Sequence, residues 1–83
     1  MEHVIVERTF AAPVEPARIE DMKRTHAWCF QQNRVRFVES YLSVDGKRMI
    51  CIYEAPDAES VRRLNRQAAL PYDAIWTAVP IAG

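Results

Sequence analysis

Residues 34–55 read RVRFVESYLSVDGKRMICIYEA, and this stretch decides the fold. Two sets of side chains alternate along residues 34–44, as they do in a half-buried β-strand. Asp45 and Gly46 follow, a dipeptide that favours the positive backbone φ angles of a tight hairpin turn. The largely apolar run at residues 47–55 is then the expected partner strand. The sequence therefore predicts an antiparallel hairpin in the middle of the chain.

A helix and a further strand are predicted on each side of this hairpin. Upstream, residues 2–10 alternate as a strand, and residues 15–33 carry apolar side chains at three- and four-residue steps, which is typical of an amphipathic helix. Downstream, Asp57 is a good N-cap for a second helix through about residue 69, and residues 73–79 alternate again. Two βαβ units joined by a hairpin predict an α+β, ferredoxin-like fold (βαββαβ), with a four-stranded antiparallel sheet and two helices on one face.

Size and charge limit the classes of function. The 83 residues are expected to form a single domain, 1–83, which buries only about 60% of its unfolded surface, so association into a homodimer is expected to add to its thin core. The 11 basic and 11 acidic side chains cancel and are spread along the chain, which argues against binding to nucleic acid or to an anionic membrane. No apolar stretch of signal-peptide or membrane-spanning type occurs, so a cytoplasmic location is expected.

Helices on one face of a sheet leave its other face uncovered. Alternation assigns one set of residues to the helix-facing side: Val4, Val6, Val38, Leu42, Ile50, Ile52, Ile75 and Val79. It assigns a second set to the uncovered side: Ile5, Glu7, Phe37, Glu39, Tyr41, Met49, Cys51, Tyr53 and Trp76. The second set is too apolar for a surface in contact with water. We therefore expect a sheet-to-sheet dimer interface or the wall of a ligand site there, and one dimer can supply both.

The candidate ligand-binding residues belong to this uncovered side. They are Glu7, Glu39, Tyr41, Tyr53 and Trp76. A partly desolvated carboxylate in such a place binds a cation, acts as a base or accepts a hydrogen bond from a tyrosine. The alternative interpretation is that the carboxylates pair with arginines of a partner chain at the rim of an interface. The arginines in question are Arg8, Arg36 and Arg48.

Other motifs carry less chemistry. His26 and Cys29 are three residues apart on one helix face, a spacing that suits two ligands of one transition metal, but their apolar neighbours equally fit a histidine packed in the core. Trp28 lies opposite that apolar stripe, on the outer side of its helix. It is expected either to be exposed as part of a contact surface or to be covered by a loop or a chain terminus. The chain has two glycines and no GxSxG, HExxH or paired CxxC motif, so nucleotide chemistry and serine hydrolysis are not expected, and no catalytic residue is assigned.

Several short motifs resemble those of one known family. They are VERTF at residues 6–10, SYLS at residues 40–43, Asp-Gly at residues 45–46, CIYEAPD at residues 51–57 and Leu-Pro at residues 70–71. In this order they resemble the small bacterial nickel-binding, ferredoxin-like proteins, formerly a domain of unknown function. The resemblance implies a ferredoxin-like fold, a homodimer and, for some members, metal binding.

The resemblance also suggests how a ligand is held. Glu39 stands where family members often have a histidine, and a carboxylate in place of an imidazole shifts the preference of a site towards harder cations. The leading hypothesis is a small non-catalytic protein that binds nickel or another divalent transition metal near the uncovered side of the sheet. Its expected metal ligands are Glu39, Glu7 and His3.

Two alternative functions fit the same sequence. One is a dimeric α+β-barrel-like enzyme of the monooxygenase or isomerase type, which would need a closed cavity beneath Phe37, Tyr53 and Trp76 for a small apolar substrate. The other is a protein-interaction module that contacts its partner through Trp28 and the arginine-rich second helix. Neither alternative has a motif of its own.

Overall fold

The computed structural model describes residues 1–82, which form one sheet and three helices. In chain order the elements are β1 (Glu2–Thr9), α1 (Pro16–Thr25), α2 (Ala27–Gln32), β2 (Arg36–Leu42), β3 (Arg48–Ala55), α3 (Ala58–Gln67) and β4 (Ala74–Ala78). The sheet order is β2-β3-β1-β4, and all neighbouring strands are antiparallel. The predicted α+β, ferredoxin-like fold is confirmed. Within residues 1–82, no helix combines the length and the apolar character that crossing a membrane requires.

The first predicted helix is interrupted at His26, which was not expected. The backbone of His26 has φ −107° and ψ 19°, outside the helical range, and separates α1 from α2. The apolar stripe nevertheless stays on one side, because Cys29 is fully buried and Ile19 and Phe30 pack against the core. The helix α1 itself has no buried residue, so it lies more loosely on the sheet than α3 does.

The predicted hairpin between β2 and β3 is confirmed, but its turn is longer than expected. Residues 43–47 connect the strands, and the Gly46 N–H donates to the Ser43 carbonyl oxygen at 2.9 Å. Asp45 supports this loop by accepting from the Ser43 hydroxyl at 2.6 Å and from the Lys47 N–H at 3.0 Å. Of Asp45 and Gly46 only Gly46 has a positive φ, 75°, so the tight turn with two positive φ angles is not formed.

The core lies between the helices and the sheet. Val4 and Val6 of β1 are fully buried against Val61 and Leu64 of α3 in one cluster. The helix α3 begins as predicted, with the Asp57 carboxylate accepting from the backbone N–H of Ser60 at 2.8 Å. The central strand and the second βαβ unit thus form the best-packed part of the chain.

The orientation predicted for β3 is wrong. Met49, Cys51 and Tyr53 are buried beneath the helices, whereas Ile50 and Ile52 lie on the opposite side of the sheet. The five residues from 49 to 53 are all apolar or aromatic, so alternation of polarity does not show which side faces the core. The core here is formed by the residues that were expected to be uncovered.

A β-bulge changes the direction of side chains within β2. The register shifts between Phe37 and Glu39, with Val38 as the extra residue. Phe37 therefore lies on the helix side, where its ring centroid is 6.2 Å from that of Tyr53, while Glu39 lies on the other side. The predicted positions of Phe37 and Val38 are thus wrong. Val79 is also misplaced, since it is exposed beyond the end of β4.

Candidate binding surface on the open sheet face

Three rows of side chains cross the sheet surface that the helices leave uncovered, here called the open face. The middle row contains Glu39, Ile52, Ile5 and Trp76, in the order of the strands. The row on one side contains Tyr41, Ile50, Glu7 and Ala74. The row on the other side contains Arg36, Glu54, His3 and Ala78. The open face therefore carries Glu7, Glu39, Tyr41, Trp76 and His3 of the predicted site.

Glu7 and Trp76 form the best-defined polar contact of this surface. The indole N–H of Trp76 donates to a carboxylate oxygen of Glu7 at 2.7 Å. A hydrogen bond to an ionised acceptor is stronger than one between neutral groups, so it fixes the position of both side chains. One carboxylate oxygen of Glu7 stays available to a further partner.

Glu39 and Tyr41 form a second pair, two residues apart on the same side of β2. Glu39 raises the pKa of Tyr41, because hydrogen bonding of the phenol to its carboxylate and the negative charge of that carboxylate both disfavour the phenolate. Tyr41 is therefore a protonated hydrogen-bond donor at neutral pH. It is not a base.

One of the arginines that were expected to pair across an interface has a partner within the chain. Arg36 forms an ion pair with Glu54 on the neighbouring strand. Both side chains lie in the same row of the open face as His3. Arg36 is therefore already paired before any partner binds, and Arg8 lies on the helix side of the sheet, away from any rim of the open face.

The three expected metal ligands share the open face but are spread across it. Glu39 lies on β2 and Glu7 on β1, two strands apart and offset by two residues, which is about 12 Å at the backbone. His3 and Glu7 are four residues apart on β1, or about 13 Å. Among residues 1–82 there is no group of three or more His, Cys, Asp or Glu side chains that could hold a metal ion. A single chain therefore does not assemble the expected three-ligand site.

Tyr53 does not belong to this surface, which corrects its predicted position. It is buried beneath α2, with its ring centroid 5.8 Å from that of Phe30. Burial raises the pKa of Tyr53 well above the usual range, because the phenolate would be poorly solvated there. Phe37 lies on the same side as Tyr53, whereas Trp76 lies on the open face. The enzyme hypothesis requires these three residues to line one cavity, and they do not.

Comparison with known proteins gives the family. Residues 5–77 match the family described as nickel responsive protein, SCO4226-like. The chain belongs to this family. The predicted family resemblance is thus confirmed. No curated protein matches the chain.

A solved structure of the SCO4226-like family supports the fold. The crystal structure of SCO4226 from Streptomyces coelicolor A3(2) matches with a TM-score of 0.82 and 18% sequence identity. The match covers 98% of this chain and 99% of that one. At such low identity the likeness concerns the path of the backbone alone.

Trp28 and His26 lie outside the open face of this SCO4226-like chain. Trp28 is 56% exposed on α2, as its position opposite the apolar stripe predicted. His26 is half-buried at the junction of the two helices, where its carbonyl oxygen accepts from the Cys29 N–H at 2.9 Å. The His26 and Cys29 pair has no third donor among residues 1–82.

Sequence reasoning missed Arg8 as a residue of the molecule's interior. Arg8 is only 5% exposed, on the helix side of β1. The signal was present, because Arg8 continues the alternation of Val4 and Val6 and therefore must face the helices. A buried arginine is rare in a protein core unless its charge is paired, so Arg8 is of interest for function.

Proposed function

We propose that this chain is a small, non-catalytic homodimeric protein that binds a divalent metal ion at the open face. A second copy of the chain covers that face in the dimer. The metal ion is nickel or another divalent transition metal, and Glu7 and Glu39 are its main ligands, with His3 as a further donor. The observation that carries the proposal is the combination of these donors with a large exposed apolar surface.

The apolar surface supports the dimer. Tyr41 is 58%, Trp76 47% and Ile50 43% exposed. Tyr41 and Ile50 are cross-strand neighbours on the open face, and Ile52 and Ile5 of the middle row lie between them and Trp76. Contiguous exposed apolar patches on small proteins mark interaction sites. Because the strands of both chains would carry the same residues, a two-fold axis through the face would join like surfaces, as in most homodimers.

The arrangement of donors supports a shared metal site. One chain provides carboxylates that are too far apart to hold one ion, but two facing copies provide twice the number of donors. Removal of water by the partner also strengthens the attraction between a carboxylate and a cation. Nickel is suggested by the description of the family, and the two carboxylates in the ligand set extend the expected range to harder cations such as Mn²⁺.

The test is a calorimetric titration of tag-free protein with Ni²⁺, Zn²⁺ and Mn²⁺, with light scattering to determine the number of chains. We expect stoichiometric binding of at least one of these ions by a dimer. The Glu39→Gln variant should bind that ion at least about tenfold more weakly, equal to about 1.4 kcal/mol, while it remains a dimer. The matched control is Glu59→Gln, because Glu59 is an exposed carboxylate of α3, on the helix side of the sheet.

Each part of the proposal has its own contrary result. Absence of heat with all three ions would refute metal binding and leave the dimer standing. Equal weakening by Glu39→Gln and Glu59→Gln would mean that the ions bind to surface charge in general. A monomer at all protein concentrations would refute the shared site.

A further inference from the structure

A small, partly open cavity lies on the other side of the sheet, between the strands and the helices α1 and α2. Its volume is about 30 Å³. Met22 and Phe30 bound it from the helices, Cys51 and Tyr53 from β3, and Arg8 from β1. A cavity of this volume has room for about two water molecules. It is separate from the open face, because β1 and β3 lie between the two.

Arg8 is the chemically unusual residue of this cavity. One of its terminal nitrogens donates to the Pro71 carbonyl oxygen at 2.9 Å. None of the five ion pairs formed among residues 1–82 includes Arg8, although its side chain is 95% buried (5% exposed). A guanidinium group has five N–H donors, and a neutral carbonyl oxygen does not balance its charge. Burial of such a charge without a counter-ion is costly.

The rest of the cavity wall favours an anion with an apolar part. None of the residues that line it is acidic, and Lys23 adds a second positive charge at its edge. The Lys23 ammonium lies 3.8 Å from a carboxylate oxygen of Glu20 and 3.9 Å from the centre of the Phe37 ring, and both contacts partly compensate its charge. Met22 and Phe30 provide apolar contacts opposite the guanidinium.

We propose that this cavity binds a small organic carboxylate. The carboxylate group pairs with the Arg8 guanidinium, whose planar pair of N–H groups matches its two oxygens. The short carbon chain of the ligand contacts Met22 and Phe30. Acetate is about the size of the cavity, and the longer chain of propionate reaches into its opening beside α1, which has no buried residue and provides the route of entry.

The test uses the full chain labelled with ¹⁵N and titrated with acetate and propionate at constant ionic strength. Sodium chloride and acetamide are the controls. Chloride has the negative charge of a carboxylate without its planar shape, and acetamide has the shape of acetate without its charge. We expect saturable shifts of the Arg8 side-chain N–H and of the Cys51 and Tyr53 amide signals with both carboxylates, and none with the controls. An equal response to chloride, or no saturable response to either carboxylate, would overturn the proposal.

Variants separate a ligand-binding Arg8 from a structural one. Arg8→Met should abolish the saturable shifts while the melting temperature stays the same or rises, because an unpaired buried charge is removed. Arg48→Met is the control, since Arg48 is an exposed arginine of β3, and it should bind as the wild type does. If Arg8→Met does not fold, Met22→Phe, which fills the cavity and retains Arg8, should abolish the shifts. Undiminished binding by the folded variant would refute the site. Metal binding at the open face is measured separately, so either proposal can fail alone.

Discussion

Gly46 is the residue whose backbone most strictly limits substitution. Its φ is 75°, and a Cβ atom added there would be 3.0 Å from both the backbone nitrogen and the carbonyl oxygen of Val14. The Val14 N–H also donates to the Gly46 carbonyl oxygen at 2.9 Å, so the segment before α1 is attached to this loop. Gly46→Ala should therefore lower the free energy of unfolding by about 1–3 kcal/mol, measured by urea denaturation. A loss below about 0.5 kcal/mol would mean that the hairpin loop relaxes freely.

Ala69 presents the opposite case at the end of α3. Its φ is 55°, a left-handed conformation that alanine adopts only with strain, and its N–H donates to the Arg66 carbonyl oxygen at 3.2 Å. Glycine is the preferred residue at this position of a helix terminus. Ala69→Gly should raise the free energy of unfolding by about 0.5–1 kcal/mol, measured in the same urea series. A destabilised variant would show that the Ala69 methyl group contributes packing that outweighs the strain.

At the scale of the element, the N-terminus of α3 makes the folding stability of the chain dependent on pH. The Asp57 carboxylate accepts from the Ser60 N–H and hydroxyl, both at 2.8 Å, and these bonds lower its pKa from the usual value of 3.8. Because the folded pKa is below the unfolded one, the stabilisation is complete above the unfolded value and is lost as the pH falls through the folded value. Stability should therefore decrease below about pH 4.

The variant Asp57→Asn isolates this contribution. Asparagine is also a good N-cap, so α3 should still form, but its side chain does not titrate. The difference in melting temperature between wild type and variant should shrink as the pH is lowered from neutral to about 2. A difference that is constant with pH would assign the acid dependence to other carboxylates, such as Asp45 and Glu59, whose pKa values are also lowered by hydrogen bonds.

The helices and strands were predictable from the sequence. Which side chains of β3, and of part of β2, face the helices was not. Strands β1 and β4 and the cap of α3 have local signals that the fold preserves. In β3, residues 49–53 are apolar on both sides, since one side enters the core and the other joins the exposed patch. In β2, a single extra residue, Val38, moves every earlier side chain to the other face, and nothing in the local sequence marks a bulge.

At the scale of the whole molecule, the candidate surface was largely predictable, and the interior site was not. The common face of four residues was assigned correctly. Polarity alternates along the strands of Glu7 and Trp76, and Glu39 and Tyr41 come after the bulge in β2. Tyr53 was assigned to that face because its strand has no polar side. Arg8 was assigned to the rim of an interface as a partner for carboxylates, although the period of β1 indicated the interior.

The shape of the molecule is compatible with the open face as the proposed dimer interface. The chain is a slab of 34 × 32 × 19 Å with a total accessible surface of 5521 Å². A standard interface buries about 800 Å² on each partner, which one broad face of this slab can supply. Ile50, near the centre of the patch, would then be buried, and a charge at that position would lose its water without gaining a partner.

Ile50→Asp should therefore weaken the proposed dimer by about 3 kcal/mol or more, which is at least about a hundredfold in its dissociation constant. Sedimentation or light scattering across a dilution series measures this change. Val44→Asp is the control, because Val44 is fully exposed in the hairpin loop and should leave the dimer unchanged. If Ile50→Asp remained a dimer with the wild-type dissociation constant, the chains would associate through another surface. The shared metal site would then lose its structural basis, because the donors of the two copies would no longer face each other.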